Sequence, residues 1–78
     1  MRILVIEDNR ELVRQIRNSL EHALYVVDTA FDGEEGLYLG EIEKYDAVIL
    51  DLGLPKLDGL DILEKWRSAG NQVPVLIL

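Results

Sequence analysis

The stretch that most constrains how this chain folds runs from Tyr45 to Leu60, YDAVILDLGLPKLDGL. Ala47-Val48-Ile49-Leu50 is a short apolar run of the kind found in strands covered on both faces, as in a parallel sheet flanked by helices. It stops at one carboxylate, Asp51. A strand cannot continue beyond it: Gly53 loosens the backbone, and Pro55 lacks an N–H and restricts Leu54 to extended geometry. Asp58-Gly59 then reads as the cap of a new helix. The sequence thus places a carboxylate where a buried strand meets a loop, and in open parallel α/β sheets ligands bind at that carboxyl end.

The flanking sequence supplies the rest of such a sheet. Arg2 to Ile6 contains a second apolar run, Ile3 to Ile6, which also ends in acids, Glu7-Asp8. Asn9 is placed to cap a helix running to about His22, whose Leu12, Val13, Ile16 and Leu20 form one apolar stripe. Tyr25 to Ala30 reads as a strand of mixed polarity, which belongs nearer a sheet edge. Asp32 and Glu35 have the spacing of a capping box for a helix reaching Ile42 or Glu43. That helix contains Gly36 and Gly40, each costing about 0.5–1 kcal/mol relative to alanine, so it should be the weakest. The glycines would offset this by letting its backbone approach the sheet. Leu60, Ile62, Leu63 and Trp66 keep a helical period until Ser68-Ala69-Gly70, and Val73 to Leu78 reads as a last strand. The βαβαβαβ order predicts a parallel α/β sheet with right-handed crossovers and helices on both faces. Because the sequence stops inside an apolar strand, we expect it to be part of a longer protein.

Seventy-eight residues allow one small domain, which buries roughly 60% of its unfolded surface. There is no cysteine, so disulfides and thiolate metal sites are excluded. No apolar run reaches the ~18 residues of a membrane span, and the acidic MRILVIEDN start does not suit a signal peptide. We expect a soluble, cytoplasmic protein that does not engage membranes. The net charge of −7 disfavours nucleic-acid binding by this segment and suits a cation or a basic partner surface.

If the first and third strands are neighbours, Glu7, Asp8 and Asp51 meet at their carboxyl ends. Three such carboxylates repel one another unless a lysine, a proton or a divalent cation compensates. An oxygen-rich site with few protein ligands suits Mg²⁺, and the Gly53 carbonyl is a further donor. A carboxylate beside a metal in an open pocket can act as a nucleophile toward phosphorus. Acids at strand ends also serve as caps and solubility charges, and Asp58 is read simply as a cap. Asp28, Asp32, Glu34, Glu35, Glu41 and Glu43 are read as solvated surface, His22 as a surface residue at a helix C-terminus, and Trp66 as core or partner-surface packing.

Glu7-Asp8-Asn9 after the first strand, Asp51-Leu52-Gly53-Leu54-Pro55 and Asp58-Gly59 together resemble the receiver domain of two-component response regulators. The wording DLGLP with the helix DGLDILEKWR is similar to the winged-helix transcription-factor branch. The resemblance spans residues 1–78 and implies the N-terminal part of a single receiver domain. The fold it implies is flavodoxin-like, a doubly wound parallel sheet of strand order 2-1-3-4, here incomplete. It further implies that Asp51 accepts a phosphoryl group from a sensor histidine kinase. Asp8 would ligate Mg²⁺ directly, Glu7 through water and Gly53 through its carbonyl. Asn9 and the first helix would lie at the kinase-docking face. The module would not be a conventional enzyme, and DNA would be bound by a separate C-terminal domain. Receivers also carry a Ser or Thr after the fourth strand and a Lys after a fifth, neither of which this sequence contains. Without a fifth strand, the Val75 to Leu78 segment is an apolar edge inviting a homodimer or strand-exchanged oligomer. A purely structural, self-associating role is therefore the rival expectation. An Mg²⁺-dependent phosphohydrolase is the third, weakened because Gly53 stands where an Asp-x-Asp signature needs its second acid.

Overall fold

The computed structural model describes all of residues 1–78. In chain order the elements are β1 (Arg2–Ile6), α1 (Arg10–His22), β2 (Val26–Ala30), α2 (Gly33–Ile42), β3 (Ala47–Leu50), α3 (Gly59–Ser68) and β4 (Val75–Ile77). The four strands form one parallel sheet in the order β2-β1-β3-β4. The mixed strand β2 lies at an edge, as its composition predicts. Two strands are shorter than expected: β2 begins at Val26 rather than Tyr25, and β4 at Val75 rather than Val73. Pro74 has no N–H to give, yet its carbonyl accepts from Val48 N–H at 2.9 Å, so the ladder begins there through one partner only.

Alternate residues of β1 serve two cores, which explains why its sequence is apolar throughout. Leu4 and Ile6 join Val48, Leu50, Ile62 and Trp66 on the face covered by α2 and α3. Ile3 and Val5 join Val13 and Val27 on the face covered by α1. β3 is covered on both faces, as expected, but unevenly. Val48 and Leu50 are buried beneath α2 and α3, while Ala47 and Ile49 remain half-buried because a single helix covers the other side.

Each helix starts at a side-chain cap. Asn9 Oδ1 accepts from Leu12 N–H at 3.1 Å, Asp32 Oδ1 from Glu35 N–H at 2.9 Å, and Asp58 Oδ1 from Leu60 N–H at 3.1 Å. The capping box at Asp32 is half-formed, since Glu35 makes no return bond. The two α2 glycines do separate work. Gly36 lies against Ile6 of β1, as a close approach to the sheet requires. Gly40 instead faces the indole of Trp66 on α3, so this glycine serves helix–helix rather than helix–sheet packing. Trp66 is fully buried, and its indole N–H has no hydrogen-bond partner.

Candidate functional site

β1 and β3 are direct neighbours, in register from Ile3↔Ala47 to Ile6↔Leu50. The residues just beyond their carboxyl ends are therefore adjacent as well. Asp51 N–H continues the ladder by donating to the Ile6 carbonyl at 3.0 Å, and Glu7 N–H donates to the Ala30 carbonyl of β2 at 3.0 Å. Backbone pairing thus places Glu7 and Asp51 before any side-chain interaction is considered. Asp8 follows Glu7 as the chain turns into α1. One carboxylate oxygen from each of Glu7, Asp8 and Asp51 lies within 4.8 Å of the others.

The three acids differ in environment. Glu7 is buried at 6% exposure, Asp51 is half-buried and Asp8 is exposed. The charge of Glu7 is compensated by one hydrogen bond, Asn9 N–H donating to Oε2 at 3.2 Å. Burial pushes the Glu7 carboxyl above its usual range, and the neighbouring Asp8 and Asp51 push the same way against the Asn9 N–H. No Lys or Arg forms an ion pair with any of the three. A lysine of this segment is therefore not the compensating group. The donor set is entirely carboxylate oxygen, graded from shielded to open, which is the chemistry of a hard divalent cation retaining several waters. Gly53 lies beside this set on the loop after β3. It is exposed, its N–H donates to Asp51 Oδ1 at 3.4 Å, and a side chain there would meet nothing within 4 Å. Asp58 stands apart as the α3 cap.

A concavity of about 640 Å³ lies between the C-terminal ends of α2 and α3 and is lined by Gly40, Tyr45, Trp66 and Val73. None of the three acids lines it, so the acidic site is an open surface cluster.

Reading Asp28, Asp32 and Glu43 as solvated surface is corrected by the structure. Asp28 Oδ2 accepts from Arg2 Nη2 at 2.7 Å and from the Tyr45 hydroxyl at 2.7 Å, and Glu43 Oε2 accepts from Arg2 Nη1 at 3.1 Å. Burial pushes Asp28 upward, but the Tyr45 hydroxyl and the Arg2 guanidinium outweigh it and hold its pKa low. Burial and Asp28 raise the Tyr45 hydroxyl in turn. This network joins β1, β2 and the segment before β3 near their amino ends, away from the acidic cluster. An aspartate inside a strand is unfavourable on its own, and that was the available signal that Asp28 has a partner. Asp32 carries an ion pair with Lys56, 3.5 Å from Oδ2 to Nζ. Glu34, Glu35 and Glu41 are exposed, as is His22 in the last turn of α1.

Residues 3–78 match the family model of the response regulator receiver domain. The chain belongs to that family. Curated relatives of this receiver include the transcriptional regulatory protein QseB of Haemophilus influenzae, 47% identical over 78 residues, all of this chain and 35% of that protein. The response regulator MprA of Mycolicibacterium vanbaalenii is 42% identical over 78 residues, all of this chain and 34% of that protein. The receiver sequence therefore spans about a third of the length of these relatives. Among solved structures, the receiver domain of Francisella response regulator 1452 superposes with a TM-score of 0.94 at 32% identity, covering 97% of this chain and 63% of that one. The chemotaxis response regulator CheY4 of Vibrio cholerae gives 0.90 at 27% identity, covering 97% and 65%. The flavodoxin-like fold with order 2-1-3-4 is thus shared with receivers of known structure.

Proposed function

We propose that this chain is the N-terminal part of a single receiver domain that accepts a phosphoryl group on Asp51 in an Mg²⁺-dependent step. The observation that carries the reading is the convergence of Glu7, Asp8 and Asp51 with no basic partner in the segment. A family match over residues 3–78 supports it. Asp8 and Asp51 would hold the cation through carboxylate oxygens, Gly53 through its carbonyl, and Glu7 through water. When bound, Mg²⁺ supplies the positive charge that the phosphoryl oxygens and the acid cluster both need.

The chain's own residues do the remaining work. An Asp51 carboxylate oxygen attacks phosphorus on a phosphohistidine of a sensor kinase. The P–N bond breaks with its electron pair going to the imidazole, which is then reprotonated, and Asp51 is left as a mixed anhydride. The buried Glu7 holds negative charge beside the nucleophile and orients water, while the exposed Asp8 admits the cation. Asp51 is consumed stoichiometrically, so the module acts as a phosphoacceptor rather than as a conventional enzyme. Asn9 and α1 flank the cluster and form the docking face for the kinase. The acidic balance disfavours DNA binding by this chain, so DNA would be bound by a separate winged-helix domain of a cytoplasmic transcriptional regulator; that one curated relative is named a transcriptional regulatory protein supports the regulatory role.

The test is incubation with a small acyl phosphate, with and without Mg²⁺, read by intact mass and peptide mapping. A phosphoryl adduct on Asp51 that requires Mg²⁺ and disappears in Asp51→Asn is expected. An adduct elsewhere, or one indifferent to Mg²⁺, contradicts the reading.

A second reading, self-association, draws on β4, which pairs only with β3 and exposes Leu76 and Ile77 at 62% and 40%. Such an edge accepts a strand from a second copy. Sedimentation of the parent against Leu76→Lys decides it: self-association requires a dimer that the substitution dissolves.

A further inference from the structure

The loop between Asp51 and α3 is held at two places, and Gly53 lies between them. At its base, Gly59 N–H donates to the Leu52 carbonyl at 3.2 Å. A Cβ on Gly59 would stand 2.5 Å from the Asp51 carbonyl oxygen, so the start of α3 rests directly on the backbone of the candidate nucleophile. At its tip, the loop turns through Lys56, whose φ of +69° is left-handed. Leu57 N–H closes this three-residue turn onto the Pro55 carbonyl at 2.8 Å. A non-glycine residue in such a turn is strained and persists where its surroundings hold it.

What holds it is the first residue of α2. Gly33 N–H donates to the same Pro55 carbonyl at 3.1 Å, so one oxygen receives both the turn's own bond and one from a different helix. The fit leaves no room for a side chain, since a Cβ on Gly33 would fall on the Leu57 carbonyl. The Asp32–Lys56 ion pair, 3.5 Å long, lies across the same junction. Asp32 is held in its charged form first by the Glu35 N–H and then by Lys56.

We propose that Gly33 is a positioning residue for the Asp51 site: by clamping the Pro55–Leu57 turn to the N-terminus of α2, it fixes the direction of the Gly53 backbone beside the Asp51 carboxylate. The inference rests on the proposed phosphoacceptor reading for its purpose, but its geometry can be tested without metal. Gly33 meets the loop at the Pro55 carbonyl and at Leu57, and acts on the site through the loop alone.

The experiment follows backbone amides by NMR in the isotope-labelled full chain, without metal and then titrated with Mg²⁺. Gly33→Ala drives a methyl group into the turn. The expected result is lower order at the Gly53 and Leu54 amides without metal. Val5 and Ile49 on the central strands keep their exchange protection, and Mg²⁺ binding weakens threefold to tenfold. Glu34→Ala on the exposed side of α2 should leave Gly53 ordered. Should Gly33→Ala not fold, the double change Asp32→Asn with Lys56→Met keeps the helix cap and removes the bridge. It is then expected to lower Gly53 order in the same sense and weaken Mg²⁺ binding about twofold. The proposal is overturned if Gly53 is unmoved by the wedge, or if protection falls equally at Val5 and Ile49, which is simple destabilisation. Loss of the Mg²⁺ response in Asp51→Asn decides the phosphoacceptor reading separately, because the metal-free order of Gly53 does not depend on it.

Discussion

Glu7 is the residue whose charge this fold accommodates least. It is buried, has one N–H partner and faces two other acids, so its pKa is raised. A carboxyl with a raised folded-state pKa binds protons more readily folded than unfolded. Its contribution therefore favours the fold at low pH and is lost as pH rises from about 4.5 through the raised value. Glu7→Gln should stabilise the metal-free protein by about 1 kcal/mol at neutral pH and blunt its response to Mg²⁺. A thermal melt with and without the ion checks both effects. Asp28 has the opposite sign. Its lowered pKa gives stability that is present above its ordinary 3.8 and is lost as pH falls through the lowered folded value. Tyr45→Phe removes its hydroxyl partner and should cost about 1–2 kcal/mol by denaturant titration, with Mg²⁺ binding unchanged because that network lies at the other end of the strands. Glu7, Asp8 and Asp51 were legible because each ends an apolar run. Asp28 was misread because its partners, Arg2 and Tyr45, lie 26 and 17 residues away in sequence. The chemistry of a lone acid in a strand is visible in one dimension, but its pairing is not.

At the scale of elements, caps and apolar periods located the three helices to within a residue or so, because capping is local chemistry that a sequence displays directly. The strands were less well bounded. Tyr25 and Val73 have strand-like side chains, but no neighbour pairs with them as ladder residues. The tasks of the α2 glycines were only half legible, since contact with Trp66 is a tertiary fact. Gly40→Ala is predicted to destabilise by about 2 kcal/mol: overpacking against the rigid indole costs 1–3, and up to 1 returns as helix propensity. Gly36→Ala meets the more adaptable Ile6 side chain and should cost less. Denaturant melts of the two variants rank them, and equal costs would mean that helix propensity dominates over packing.

For the whole molecule, one arrangement generates the site. Parallel pairing of β1 with β3 carries two acidic strand ends to the same edge of the sheet, and the loop that follows β3 is braced from below by α3 and from the side by α2. The order 2-1-3-4 came from the resemblance; the residues supplied the alternation of strands and helices but not which strands are neighbours. In the proposed site Glu7, Asp8 and Asp51 together hold a cation, and Asp51 is indispensable to it. The most direct measurement is a thermal melt of the chain across a series of Mg²⁺ concentrations, beside Asp51→Asn. At about ten times the dissociation constant, linkage predicts about 1.4 kcal/mol of added stability, or roughly 6–11 °C for a domain of this size. That upward shift should appear in the parent and vanish in Asp51→Asn. A parent melt indifferent to Mg²⁺, or an equal shift in both proteins, would contradict the claim.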